Sequence, residues 1–451
     1  MLRRKKKQKQ AAAGEVVLPD LEFKPKIKDP REKQGVLISC RAVEQYPSCV
    51  VLCAKALRNR ADQLMLDYTS QSVSVRFRID GRFESMPPMD RPTGDGLLVI
   101  LKKLCELNPA DRKSRQQALL PVKYKGDDFN FEFTSQGVPT GERVLIKISA
   151  KKSSLNDLES LGMRNQMQED FRSLLNAPDS MFLFSGIPGH GLPTTWNIGL
   201  ESADRFIRDF HSIQDKALGE PELINITPHH YDSAAGETPM TVLKSLLLKQ
   251  PDVLVFPTLP DHEVMSLVVG EVAEEQRKAI IRIQANSAVE AFINLLAKYP
   301  KSRKEIAKTT AGVINLRLVR RLCTKCRQAF QPNPQLLKKL GLPPGRIQVL
   351  YQPFIPPPPE QRVDANGKPI EIEICRRCNG RGFHGRAAIF ELLKIDDDIR
   401  KAALSDPNPA NVQAVARSKG FLTIQEEGVL AVATGMTSIQ EVQAVLSPKR
   451  R

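Results

Sequence analysis

Two patterns of apolar and polar residues divide the chain. In the first part, residues 72–83 alternate as a half-buried strand does, and Asp80-Gly81 marks a turn. Residues 127–136 and 142–149 alternate in the same way and predict a second strand pair around the turn GVPTGE. Helices are predicted over 35–67 and 95–107. The first part therefore predicts a small α+β domain.

From about residue 165 the pattern changes to apolar runs that alternate with amphipathic segments. The predicted strands lie at 180–186, 251–257 and 277–285. The predicted helices run from Thr194 onward and over 238–250, 261–276 and 286–299. Such alternation is typical of an α/β fold, in which helices cover both faces of a mostly parallel sheet.

Length and composition are those of an ordinary globular protein with two or three domains. The chain has 451 residues, 41% hydrophobic content and no run of 18 apolar residues, so we expect no transmembrane helix and a cytoplasmic protein. We expect a basic disordered tail (1–35), a small α+β domain (36–150), a linker (151–162), and an α/β domain (163–451) that includes a tetracysteine insertion (323–378) and a C-terminal helical segment.

The basic tail carries much of the net charge of +16, because residues 1–33 hold eleven Lys/Arg and five Asp/Glu. A basic tail can attract anionic lipid or nucleic acid, or it can simply remain solvated. Aromatic residues make up 6% of the chain and none interleave with the basic run, so a base-stacking nucleic-acid site is not favoured.

The eight cysteines fall into two groups. Four are scattered among apolar residues and are expected to be reduced core thiols, namely Cys40, Cys49, Cys53 and Cys105. The others form two CxxC pairs, Cys323/Cys326 and Cys375/Cys378. Four thiolates at this spacing suit a closed tetrahedral Zn²⁺ site, and unligated or redox-active thiols are the alternative.

A glycine-rich turn follows the apolar strand 180–186 and has the outline of a phosphate-binding loop. Gly186, Gly189 and Gly191 stand at the glycine positions. In such a loop the backbone N–H groups of the turn and of the following helix point at phosphate. The alternative is a plain strand–helix turn without a ligand.

Two positions of this loop lack the side chains that the chemistry needs. Leu192 stands where a lysine would balance phosphate charge, and Pro193 stands where a hydroxyl would hold Mg²⁺. Pro193 also removes one backbone N–H donor. Thr194 and Thr195 are neighbouring hydroxyls that could serve only after a shift of one residue.

Several segments resemble, in the same order, the secretion ATPases, which are the motors of type II secretion and type IV pilus assembly. The resemblance covers about residues 50–447 and rests on the segments VRFRIDG, GERVLIKI, SGIPGHG, KQPDVLVF, RLVRRLCTKC and CRRCNGRGFHGRAAIFELLKIDDDIR. It implies a hexameric ring with ATP and Mg²⁺ between subunits, on an inner-membrane platform. It also implies a RecA-like P-loop domain, a structural tetracysteine site resembling a zinc ribbon, and a basic tail in place of a longer docking domain.

The resemblance also identifies positions where family residues are replaced. The strand that ends in a glutamate in the family pattern DPDIIMVGE ends here with Pro257 and Thr258. The family pattern TLHTN has a histidine where this chain has Gln284. The acidic box, EDP in the family, is matched to residues 226–232, where no carboxylate aligns. His229 and His230 in that segment, and His262 and His384 elsewhere, are interpreted as surface or loop residues without metal spacing.

The resemblance also implies two arginines that would reach across the subunit interface. Glu132 and Lys147 occupy those two positions here. Loss of the loop lysine, the metal hydroxyl, the glutamate, the histidine and an arginine together removes the electrostatic stabilisation of phosphoryl transfer. The sequence therefore predicts a pseudo-ATPase that acts as a structural or regulatory ring component, alone or with an active paralogue. The alternatives are an active motor with a non-standard loop and, more weakly, a nucleic-acid binder.

Overall fold

Alternating burial along the strands builds the first of two units around an antiparallel sheet. The structure is a computed structural model that describes residues 18–152, 155–343, 345–362, 368 and 370–447. The chain divides into Met1–Ser153 and Ser154–Arg451, called here the first and second units. This division falls within the stretch 151–162 that the sequence predicts as a linker.

The first unit contains a seven-stranded sheet in the order β1-β5-β6-β7-β2-β3-β4, with every neighbouring pair antiparallel. Alternate strand residues face three helices and form one apolar core. Its elements are β1 (Leu21–Phe23), α1 (Pro30–Arg41), α2 (Tyr46–Arg58), β2 (Ala61–Tyr68), β3 (Ser72–Ile79), β4 (Arg82–Asp90), α3 (Arg91–Leu104), β5 (Gln116–Tyr124), β6 (Asp127–Val138) and β7 (Gly141–Ala150).

Two expectations for this unit are wrong. The predicted helix 35–67 is instead two helices, α1 and α2, and helix ends at Arg58. Strand β2 follows and pairs with a strand on each side, burying Leu64 and Leu66. The expected disordered tail reaches too far, since β1 pairs with β5 and places Phe23 in the core. Residues 1–17 of that tail lie outside the described residues.

The second unit contains a seven-stranded sheet in the order β10-β9-β11-β12-β8-β13-β16. Its elements are α4 (Leu158–Leu161), α5 (Asn165–Asn176), β8 (Met181–Gly186), α6 (Leu192–Glu201), β9 (Phe210–Asp215), β10 (Ile226–Tyr231), α7 (Pro239–Leu247), β11 (Val253–Phe256), α8 (His262–Glu274), β12 (Lys278–Gln284), α9 (Ala288–Lys298), α10 (Arg303–Thr309), β13 (Thr310–Leu322), β14 (Gln328–Phe330), α11 (Pro334–Leu340), β15 (Leu350–Gln352), β16 (Phe383–Lys394), α12 (Asp397–Ser405), α13 (Pro409–Ser418), α14 (Ile424–Ala433) and α15 (Ile439–Leu446).

The mostly parallel sheet with helices on both faces is confirmed. All neighbouring strands run parallel except β16, which is antiparallel to β13. In β8, Met181 and Leu183 enter one apolar core, while Phe182 and Phe184 enter the other. Burial on both faces explains why this strand is a continuous apolar run in the sequence.

A buried carboxylate links two helices at the β16 side of this sheet. Glu391 of β16 is 1% exposed. Its carboxylate accepts the N–H of Ala288, the first residue of α9, at 2.5 Å, and that of Ile424, the first residue of α14, at 2.8 Å. One acidic side chain therefore caps both helix N-termini, where negative charge is favourable.

Candidate functional site

The glycine-rich turn joins β8 to α6 at the carboxyl edge of the parallel strands. Ligands bind at this edge in open α/β sheets. Gly189 and Gly191 adopt φ values of +82° and +89°, in the left-handed region that glycine tolerates best. The turn therefore has the backbone form that the sequence predicts, and Gly191 directly precedes the first residue of α6.

The side chain at the lysine position packs into an apolar core. Leu192 is 8% exposed and belongs to the apolar core that also contains Trp196 and Phe184. Pro193 occupies the second position of α6 and is exposed. The first turn of this helix therefore offers neither a cation nor the N–H of residue 193.

The two neighbouring hydroxyls differ in access. Thr195 is 1% exposed, and its N–H donates to the Gly191 carbonyl at 3.0 Å. Thr194 is exposed at the start of α6. Of the two residues, only Thr194 is accessible from solvent.

The turn is also fixed to β13. Its His190 accepts the backbone N–H of Leu318 through Nδ1 at 3.2 Å. A Cβ at Gly191 would lie 3.2 Å from the Leu318 side chain, so the turn packs closely on this strand.

The ends of the neighbouring strands carry the other predicted positions. Gln284 ends β12 in register with Gly186, and it is exposed beside the glycine-rich turn. Pro257 and Thr258 directly follow β11, which ends at Phe256. The structure thus brings these positions to one edge of the sheet, where they supply an amide, a hydroxyl and backbone carbonyls.

The interpretation of 226–232 as the acidic box needs correction. The strand that follows α6 is β9, which ends in Gln214 and Asp215, whereas 226–232 covers the edge strand β10. Gln214 is 4% exposed, and its Nε2 lies 3.2 Å from Nε2 of His230. Hydrogen bonds from the Ser233 side chain and the Ala217 backbone lower the pKa of Asp215.

An ion pair that sequence reasoning missed lies at this edge. Arg282 of β12 donates to both carboxylate oxygens of Glu220, and the distance from Nη1 to Oε2 is 3.2 Å. Its Nε donates to the Pro257 carbonyl at 2.7 Å, and its guanidinium lies 5.4 Å from the centre of the Trp196 ring. Arg282 is two residues before Gln284 in the sequence, but no local signal indicates its partner Glu220.

In the first unit, Glu132 and Lys147 pair with each other. They are directly opposite on β6 and β7, and the Lys147 ammonium lies 3.8 Å from the Glu132 carboxylate. Both side chains are more than half exposed. Such an exposed pair contributes little to stability.

The four predicted metal ligands come together at the end of the β13–β16 ladder. All four sulfur atoms lie within 4.8 Å of one another, with 3.8 Å between Cys323 and Cys375 and 3.5 Å between Cys326 and Cys378. The backbone N–H of Cys323 donates to the Gly382 carbonyl at 2.9 Å and joins the two segments. This is the one cluster of potential metal ligands found among the described residues.

The donor set fits a metal ion that prefers thiolates. Backbone N–H groups of Cys378 and Arg377 lower the pKa of Cys375 to about 7, whereas burial raises the pKa of Cys326. A bound cation favours the thiolate form of all four side chains. The group could therefore hold a metal ion and close the segment between Cys326 and Cys375.

The histidines 229 and 230 lie in the edge strand β10, where His229 is half-buried and His230 is exposed. His229 Nε2 lies 2.9 Å from Nδ1 of His211, and His211 Nε2 lies 2.7 Å from the Asp209 carboxylate. Burial lowers the pKa of His229, and the neighbouring His211 lowers it further. Sequence reasoning did not consider His211, which is 7% exposed in β9.

A search of the described residues finds no single helix that is long and apolar enough to cross a membrane. One bent pair of helices, Pro30–Arg41 with Tyr46–Arg58, passes the same test when both are counted together.

Comparison with known proteins gives a family match over most of the chain. Residues 47–444 match the family described as Type II/IV secretion system protein. A type IV pilus assembly ATPase PilB from Thermus thermophilus is 27% identical, over 86% of this chain and 42% of that protein. The PilB of Acinetobacter baylyi is 26% identical, over 88% of this chain and 65% of that protein, so the chain spans less than two thirds of both relatives.

Type II secretion system protein E of Dickeya dadantii is 25% identical, over 87% of this chain and 74% of that protein. Among solved structures, the ATPase DotB of Legionella pneumophila has a TM-score of 0.53 at 10% identity and covers 94% of this chain and 97% of its own. The pilus retraction motor PilT with bound ADP has a TM-score of 0.50 at 13% identity, and the match covers 88% of this chain and 96% of PilT. At this identity the likeness concerns the fold alone.

Proposed function

The chain belongs to the Type II/IV secretion system protein family, and from that premise we propose that it is a non-catalytic member, a pseudo-ATPase. It serves as a structural or regulatory component of a secretion or pilus machine. The observation that carries the proposal is Leu192, whose side chain lies in the apolar core where a phosphate-binding loop has its lysine. The α/β fold and the glycine-rich turn are present, whereas the charge that phosphoryl transfer needs at this position is absent.

The chemistry of the other positions supports the same conclusion. Loss of one well-placed donor typically costs about 10²- to 10³-fold in rate. Here Pro193 supplies no hydroxyl, Pro257 and Thr258 follow β11 without a carboxylate, and Gln284 cannot act as an acid or a base. Several such losses in one site combine to leave phosphoryl transfer without stabilisation.

The proposed role is assembly with other subunits, either copies of this chain or an active paralogue, in a hexameric ring. The ring would lie in the cytoplasm against inner-membrane platform proteins. Relatives whose names describe pilus assembly and type II secretion support this setting. In a mixed ring, this subunit would supply surfaces while its paralogue supplies turnover.

The same proposal includes a structural Zn²⁺ at the four cysteines. Their sulfur atoms already lie within 4.8 Å of one another, and four thiolates form the donor set of closed zinc sites. The ion would fix the insertion that contains β14, α11 and β15 to the ends of β13 and β16.

An active motor with a non-standard loop is the second candidate, because Thr194 is an exposed hydroxyl at the start of α6. Titration of a fluorescent ATP analogue with Mg²⁺, with hydrolysis followed in the same sample, separates the two. The pseudo-ATPase proposal expects no turnover at any magnesium concentration. Turnover that Thr194→Ala abolishes, and that the control Thr227→Ala on exposed β10 leaves intact, would establish the motor instead.

A further inference from the structure

The ion pair between Arg282 and Glu220 joins four elements at the carboxyl edge of the second unit. Arg282 lies opposite Phe184 of β8, on the face of β12 that α6 covers. Its guanidinium contacts the Trp196 ring of α6, the carbonyl of Pro257 after β11, and the carboxylate of Glu220 in the segment after β9. One side chain thus connects three strand ends to the helix that begins at the glycine-rich turn.

The geometry of this contact favours a persistent link. The Arg282 and Glu220 side chains are 14% and 13% exposed, so water screens their attraction only weakly. A guanidinium that donates to both oxygens of one carboxylate forms a strong and directional pair. The aromatic face of Trp196 adds a further attraction for the cation.

The link also fills the space beside α6. The cavity that remains there, lined by residues including Trp196, Gln214, Glu220 and Pro257, has a volume of about 20 Å³. That is room for about one water molecule. A metal ion with its own water ligands does not fit between these side chains.

In a working phosphoryl-transfer site, the cation between phosphate and carboxylate oxygens is a metal ion that arrives with the nucleotide. We propose that Arg282 is a built-in cation that holds the carboxyl edge of the second unit in one arrangement, whether or not nucleotide is present. This inference rests on the proposed function, because a catalytic site would need the space for a metal ion and water. The chain would then offer neighbouring subunits a surface of fixed shape, whereas the corresponding surface of an active motor would change.

The test is hydrogen exchange of the backbone amides of 216–225, the segment that contains Glu220. In the wild-type protein, Mg²⁺-ATP is expected to leave the exchange rate unchanged. Arg282→Gln and Glu220→Gln are each expected to increase it by about tenfold or more, because either change removes the link. The exchanged pair Arg282→Glu with Glu220→Arg is expected to restore much of the protection.

Arg277, which directly precedes the first residue of β12, provides a matched control. It pairs with Glu271 at 12% and 15% exposure, and its Nε donates to the Pro251 carbonyl at 3.1 Å. Arg277→Gln is expected to leave the hydrogen-exchange rate of 216–225 at its wild-type value. The proposal is overturned if Arg277→Gln increases the exchange rate of 216–225 as much as Arg282→Gln does. It is also overturned if Arg282→Gln and Glu220→Gln leave that exchange rate unchanged, or if Mg²⁺-ATP changes it in the wild-type protein.

Hydrolysis measured in the same samples keeps the two proposals separate. Turnover by the wild-type protein would refute the non-catalytic function. A hydrogen-exchange rate of 216–225 that does not depend on Arg282 would refute only the proposed link.

Discussion

Replacing Cys378 by serine is expected to release the insertion between β13 and β16 and to lower the stability of the second unit. Cys378 is fully buried within the four-cysteine cluster. Serine has nearly the same size, but its hydroxyl is a poor zinc ligand. The variant should therefore lose the metal ion while its packing changes little.

The size of the effect follows from the segment that the metal closes. Because 48 residues separate Cys326 from Cys375, the link closes a loop of about 50 residues, which corresponds to about 4 kcal/mol of chain entropy. For a unit of about 300 residues, this lowers the melting temperature by about 6 °C. Removal of the metal from the wild-type protein by a strong chelator should give a similar change.

The assay combines metal analysis of the purified protein with calorimetry and with hydrogen exchange of 328–352, which covers β14, α11 and β15. We expect about one zinc ion per wild-type chain and faster exchange in this segment after the substitution. Cys40→Ser is the control, because this thiol is fully buried but lies in the first unit. A wild-type protein without bound metal, or an unchanged 328–352 segment in Cys378→Ser, would refute the reasoning.

Three further predictions concern the second unit. Burial lowers the pKa of Lys278 from 10.5 to about 7. Between these two pH values the unfolded chain binds more protons than the folded chain, so stability should rise with pH. Chemical denaturation of Lys278→Met should show a weaker rise. Burial also lowers the pKa of His229 from 6.5, so stability should fall as the pH drops below that value, and His229→Gln should reduce this fall in acid titrations monitored by circular dichroism. Leu192→Lys should restore no ATP hydrolysis, because Pro193 still supplies no hydroxyl, and it should lower stability by about 2 kcal/mol or more in denaturant unfolding. Turnover by that single variant, or pH profiles in which the substituted and wild-type proteins coincide, would contradict these expectations.

The sequence predicts the parts of the fold whose signals are local. The strand 180–186 is a continuous apolar run because both of its faces are buried, and the turn at Asp80-Gly81 uses residues that tolerate left-handed backbone. In contrast, residues 61–68 continue a helical pattern from α2, and only pairing with strands β3 and β7 makes them a strand. Tertiary context there overrides local preference.

The same distinction holds for the site. The four cysteines are predictable because each CxxC pair is a local signal, and the β13–β16 ladder then brings the pairs together. Arg282 and Glu220 are 62 residues apart in the chain, and neither belongs to a recognisable spacing. The sequence also places the acidic box wrongly, because it gives no prediction of the short strand β9, which ends in Gln214 and Asp215.

The shared cap at Glu391 has a mechanical consequence. If α14 swung away by itself, the N–H of Ile424 would leave the buried carboxyl group of Glu391, which would lose one of its two backbone partners. A smaller free-energy cost results when α14 turns together with the start of α9, the helix that follows the strand end carrying Gln284. A torque applied to α14 would therefore reach the start of α9, near the carboxyl edge of the sheet, in part through the Glu391 side chain.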